Sequence, residues 1–143
     1  MERFLHAQYL AYMRLEEVGE VIALQIPVRT VREAARAVGV GEDKIIKTIV
    51  VNCGGEFRAY ILRGTKRLDV KSLGCRLATP EEVLSVTGYP VGGVPPVLGI
   101  PVFIDEELLS EDYVYGGGGD DHSLLKFRPR DLVERGLAEP VDL

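Results

Sequence analysis

The stretch Val91-Gly92-Gly93-Val94-Pro95-Pro96-Val97-Leu98-Gly99 constrains this chain most. Two prolines remove amide donors and three glycines raise the entropic cost of ordering, so a helix is excluded there. The apolar side chains favour a segment held against the body of the protein. Gly92 and Gly93 permit close approach to the main chain, while Pro95 and Pro96 stiffen the segment after them. The stretch therefore reads either as a rigid loop whose backbone faces a pocket or as a plain turn between two elements.

The 143 residues are enough for one compact domain, and none of the apolar runs approaches the ~20 residues of a membrane span. The first residues, Met1 to Gln8, lack the apolar core and small-residue cleavage site of a signal peptide, so a cytoplasmic location is expected. Cys53 and Cys75 are widely spaced with no paired Cys/His motif, a pattern expected of small buried hydrophobes rather than of a disulfide or zinc ligands. The net charge of −5 argues against wide, sequence-independent nucleic-acid binding. A local basic patch around Arg63, Lys66, Arg67 and Lys71 remains as a grip for a nucleic-acid end or as a solvated charged face.

Along the chain, residues 2–18 read as an amphipathic helix and Glu20 to Ile26 as a strand closed by Pro27. Thr30-Val31-Arg32-Glu33 is a capping box opening a helix that stops at Gly39. Glu42-Asp43-Lys44 predicts a short helical turn, and the β-branched run Ile45 to Asn52 a central strand. Gly54-Gly55 turns that strand into its partner, Glu56 to Arg63. Asp69 caps a short helix through Leu73. Thr79-Pro80-Glu81-Glu82 is a second capping box, with proline at the first helical position and Gly88 as the stop. Strands are expected at Ile100–Ile104, Asp112–Tyr115 and Ser123–Phe127, with an Asp105-capped turn through Leu109. Pro129 opens a last helix to Arg135, and Leu137-Ala138-Glu139 adds a short strand or tail. This order is not a regular βαβ alternation. It predicts an α+β fold in one domain over residues 1–143: a curved, half-barrel-like mixed sheet with helices packed around it.

Lys47 interrupts the apolar central strand on the face shared by Ile45 and Ile49. An ammonium there is costly to bury unpaired, so it points into a cleft, meets an anion, or snorkels to the surface. Gly116–Gly119 reads in isolation as a turn between strands and lacks the lysine-serine ending of a phosphate loop. Asp120-Asp121-His122 invites a metal, but no spacing motif joins His122 to His6, so neither a metal nor a cofactor is expected. No nucleophile elbow occurs. The groups on offer bind and position, which suits a substrate that brings much of its own chemistry.

Taken together, several of these segments resemble the YbaK/prolyl-tRNA-synthetase-associated domain family. They are Thr30 to Ala35 with Gly39-Val40, Ile46-Lys47-Thr48-Ile49-Val50, Thr79 to Val83, and Thr87-Gly88 with Gly92-Gly93-Val94-Pro95-Pro96. Phe103-Ile104-Asp105-Glu106, the glycine run and Pro129-Arg130-Asp131-Leu132 complete a match over about residues 20–136. The resemblance implies an aminoacyl-tRNA deacylase that clears mischarged tRNA, tRNA(Pro) carrying alanine or cysteine, with a prolyl-tRNA synthetase as candidate partner and no membrane or DNA partner. It implies that Lys47 holds the acceptor end through phosphate, and that the backbone of Gly92, Gly93 and Val94 places ester and water. Thr48, Pro95, Pro96, Gly117, Gly118 and His122 are the substrate-binding candidates it supplies. The chain departs from the family's cysteine-clearing branch at Pro95, usually a small polar residue, and at Gly118-Gly119-Asp120-Asp121-His122, where a glycine–arginine signature is usual. Leu98 stands where many members have glycine, and Thr48 where the alanine-clearing branch has asparagine. A non-catalytic module binding a nucleotide or tRNA end is the alternative.

Overall fold

The structure, a computed structural model, describes residues 14–143. Residues 2–13 of the expected first helix lie outside the described residues, and Leu15–Glu17 form a single 3-10 turn.

The described residues hold eight strands: β1 (Gly19–Ala23), β2 (Ile46–Cys53), β3 (Glu56–Arg63), β4 (Arg76–Leu77), β5 (Val102–Asp105), β6 (Val114–Gly117), β7 (Ser123–Phe127) and β8 (Glu139–Val141). Three α-helices accompany them there: α1 (Val31–Val38), α2 (Pro80–Thr87) and α3 (Pro129–Glu134). The α+β class holds. Hydrogen bonding divides the strands into an antiparallel sheet, β1-β7-β6, and a mixed sheet, β4-β2-β3-β5-β8. In the mixed sheet, β3 pairs with β5 and β5 with β8 in parallel. A parallel bridge between Ile45 and Tyr115 links the two sheets at the start of β2. Among the described residues no helix is long and apolar enough to cross a membrane.

The helix ends follow their local chemistry. Thr79 accepts from the Glu82 amide while Glu82 accepts from the Thr79 amide, completing the second capping box. At α1 the Thr30 hydroxyl accepts from the Glu33 amide as expected, but the Glu33 carboxylate takes the Arg29 amide instead of Thr30's. Gly54 and Gly55, at φ 66° and 99°, make the two-residue hairpin turn between β2 and β3.

β2 is apolar on both sides because both are covered. Ile46 and Val50 join the main core with Ala59, Ile61, Ile104 and Phe127. Val51 belongs to a second cluster with Tyr60, Leu62 and Leu68, where Phe103 stacks on Tyr60 at 5.3 Å. The glycine–proline stretch plugs into the main core: Val94, Val97 and Leu98 are buried there, and Pro95 and Pro96 are almost wholly enclosed.

Three expectations need correction. Cys53 and Cys75 form a disulfide across the β2–β4 edge; their distance in sequence concealed that β4 returns beside the end of β2. The stretch after Pro90 does hold one turn of 3-10 helix, Val91–Gly93, since one turn needs only the single bond from the Gly93 amide to the Pro90 carbonyl. Gly116 and Gly117 extend β6 rather than turning the chain: a Cβ at Gly116 would lie 2.5 Å from Ile46 Cδ1, so the missing side chain lets β6 close on β2.

Candidate functional site

A cavity of about 600 Å³ opens where the two sheets meet, at the start of β2. Lys47 and Thr48 come from β2, Gly92 and Val94 from the glycine–proline stretch, and Gly117 from β6. The remaining polar wall is Arg29 and Thr30 ahead of α1, and Asp120 and Asp121 after the glycine run.

Two contacts between main chains build the wall. The Gly119 amide donates to the Gly93 carbonyl at 2.9 Å. A Cβ on Gly93 would fall 2.6 Å from the Asp120 nitrogen, and one on Gly117 would fall 2.3 Å from the Val94 carbonyl oxygen. Gly93 is therefore a close-approach glycine, but the group that approaches it is the protein's own glycine run. Gly92 differs, having nothing within 4 Å of a would-be Cβ.

Lys47 has no carboxylate within ion-pair distance among the described residues, and burial alone pulls its ammonium below the ordinary lysine range. The Thr48 hydroxyl is out of solvent contact and has no hydrogen-bond partner among the described residues. The Val94 amide has no backbone acceptor among them either. Lys47, Thr48 and Val94 thus line one cavity, and the Lys47 ammonium and the Val94 amide have no protein partner among the described residues. Buried polar groups are ordinarily satisfied, so unsatisfied ones gathered in a cavity mark a ligand site.

The other sequence-derived candidates lie close by but outside this lining. Pro95 and Pro96 brace the loop from inside the core. Gly118 packs against Ser123 and donates its amide to the Ser123 carbonyl at 3.2 Å. His122 is half exposed; its Nδ1 lies 2.5 Å from Asp121 Oδ1, and its amide donates to Asp120 Oδ1 at 2.8 Å. The imidazole thus lies against Asp121 at the turn before β7. Ligand atoms of Asp120, Asp121 and His122 lie within 4.8 Å of one another.

The basic patch separates into spent and unspent cations. Arg63 binds Glu107 at 3.2 Å and Glu111 at 3.1 Å, and Lys66 binds the buried Asp105 at 2.7 Å. Lys44 takes the other Glu111 oxygen. These cations stabilise the fold and are not free for phosphate. A larger groove of about 910 Å³ lies between the start of β5 and the end of α3. It contains none of the candidate residues, and its cation Arg58 sits 3.7 Å from Glu56.

Sequence reading passed over Arg29 and Thr30 as part of the site, and considered the two aspartates only as metal ligands. Arg29 carried no motif. Thr30 had a sufficient role as a cap, and the aspartates lie more than 70 positions from Lys47, a distance only the fold closes.

Residues 26–134 match the model of the aminoacyl-tRNA editing domain, so the chain belongs to that family. Similar curated proteins include the proline–tRNA ligases of Solidesulfovibrio magneticus, 41% identical over 106 residues, and Moorella thermoacetica, 42% identical over 111 residues. These matches cover 67% and 71% of this chain but only 18% and 19% of the ligases. The chain thus spans less than a fifth of the length of those relatives. Among solved structures, a candidate trans-editing enzyme for prolyl tRNA synthetase is 34% identical with a TM-score of 0.80, covering 96% of each chain. Hypothetical protein APE2540 is 41% identical with a TM-score of 0.79, covering 94% of this chain and 93% of that one.

Proposed function

We propose that the chain is an editing hydrolase that deacylates mischarged aminoacyl-tRNA, with tRNA(Pro) carrying alanine or cysteine as its substrate. The observation that carries this reading is the unpaired Lys47 ammonium sharing one cavity with the unspent Val94 amide. Lys47 serves as a compact positive charge for an acceptor-end phosphate. The Val94 amide, beside the open backbone at Gly92, donates to the ester carbonyl oxygen as negative charge develops there. Water adds to the carbonyl carbon, and the bond to the ribose oxygen breaks. That oxygen takes a proton, leaving free amino acid and uncharged tRNA. The vicinal ribose hydroxyl orients the water, so positioning replaces a side-chain nucleophile. A synthetic pocket distinguishes amino acids differing by a methylene by only about 1–3 kcal/mol, which is why a second, hydrolytic pocket is needed. A prolyl-tRNA synthetase is the natural source of such errors, in keeping with the ligases the chain resembles.

Among the described residues the cavity's lining has two hydroxyl side chains: Thr48 Oγ1 has no partner, and Thr30 Oγ1, 3.2 Å from Glu33 Oε1, is taken up in capping α1, so neither is a nucleophile held ready by a base. That feature supports a second reading, a module that binds a tRNA end without cleaving it. A deacylation panel over mischarged tRNAs separates the two. Release of alanine or cysteine from tRNA(Pro) supports the hydrolase; adenosine binding with no release from any charged tRNA supports the module.

A further inference from the structure

We infer that Asp120 is a positioning residue for the free α-ammonium group of the aminoacyl ester, which makes unblocked aminoacyl ends the substrate class of this site. The inference rests on the deacylase reading above and deepens it.

An aminoacyl-tRNA tip carries phosphate negative charge along its backbone and a cationic group on the amino acid. The cavity has the complementary polarity: the Lys47 ammonium on one wall and the Asp120 and Asp121 carboxylates on another, with no ion pair joining them. The two aspartates are not equivalent. Asp121 is engaged on both oxygens, with His122 Nδ1 at 2.5 Å and Arg29 Nη2 at 3.9 Å. Asp120 uses Oδ1 to accept the His122 amide, and its other oxygen has no partner among the described residues.

Position strengthens the assignment. The Asp120 nitrogen lies so close to Gly93 that a Cβ there would come within 2.6 Å. Asp120 is therefore packed against the residue immediately preceding Val94, whose amide faces the ester carbonyl in this mechanism. In an amino acid the ammonium is two bonds from the carbonyl carbon. Asp120 and Val94 line the same cavity, with the Asp120 backbone against Gly93, so the carboxylate belongs to the wall next to the carbonyl donor, on the side an ammonium two bonds away can reach. An N-acylated end, such as a peptidyl ester, loses the charge and adds bulk at this point, so it is spared.

The test compares alanyl-tRNA(Pro) with lactyl-tRNA(Pro), in which a hydroxyl of similar size replaces the ammonium, using the wild-type chain and Asp120→Asn. The variant retains Oδ1 for the His122 amide, so the turn is preserved. kcat/KM on the alanyl ester is expected to fall about 5-fold while that on the lactyl ester changes less than about 2-fold. The wild-type preference for the alanyl ester should also shrink as pH rises through the α-amino range near about 8. Equal loss on both esters, or an unchanged ratio, overturns the inference and leaves the deacylase standing. Absence of hydrolysis by the wild-type chain of both these esters and of cysteinyl-tRNA(Pro) overturns the deacylase reading and this inference with it.

Discussion

The two ends of β2 have opposite fates. At its far end every group is committed: Cys53 is bonded to Cys75, and Asn52 Oδ1 accepts the Gly55 amide at 2.7 Å. Beside it, Glu82 holds Arg76 through both oxygens, at 2.8 and 3.0 Å, and caps α2. At the near end, the side chains of Lys47 and Thr48 have no partners among the described residues. One strand thus serves as a fixed anchor and as a binding edge. The rigid end locates the open end, so polar groups can be held in a cavity without collapsing onto neighbours.

This contrast can be broken from the anchored end first. Replacing Cys53 and Cys75 with serine releases a loop spanning 22 positions, and is expected to cost about 3 kcal/mol. Thermal unfolding should show a loss of about 10 °C, with the deacylation rate of the folded protein retained. A folded variant that no longer deacylates would mean the two ends are not separable.

A smaller effect is expected at the cavity wall. Gly93→Ala forces a Cβ into the Asp120 backbone and should cost about 2 kcal/mol. Gly92→Ala meets open space and should leave unfolding unchanged. Denaturant titration of the pair sharpens the distinction between close packing within the wall and free space for a ligand. Equal cost at both positions would contradict it.

The mildest expected change concerns acid. Hydrogen bonds from Arg76 first, then from the Thr79 amide, hold the Glu82 carboxyl down to about 2. Its folded value lies below its unfolded one, so its contribution is present above the unfolded value of 4.5 and is lost as pH falls from there toward 2. Glu82→Gln should flatten the pH dependence of unfolding in that window without affecting Lys47. A pH dependence identical to the wild type would count against an anchoring role for the ion pair.

Local chemistry was legible in the sequence. Thr30, Thr79, Gly39, Gly88 and the Gly54-Gly55 turn act on neighbours within four residues, so their elements could be read directly. Lys47 stood out because a charge in a β-branched run has few innocent explanations. Pairings set by tertiary structure were not legible. Cys75 meets Cys53 only because β4 adds to the edge of β2. Arg63 and Lys66 are neutralised by acidic residues some 40 positions away, which no local pattern announces. Gly93 was recognised as a close-approach glycine, but its partner, Asp120, depends on how the β6–β7 turn folds back.

The most direct measurement is single-turnover deacylation of alanyl-tRNA(Pro) by Lys47→Ala, with thermal unfolding of the same sample. Loss of one charge-assisted contact to phosphate, about 1.5–3 kcal/mol, predicts a reaction roughly 10- to 100-fold slower at subsaturating enzyme. The unfolding temperature should not fall, because the removed ammonium has no partner to abandon. An unchanged deacylation rate, or a loss of activity matched by a loss of folding, would contradict the account.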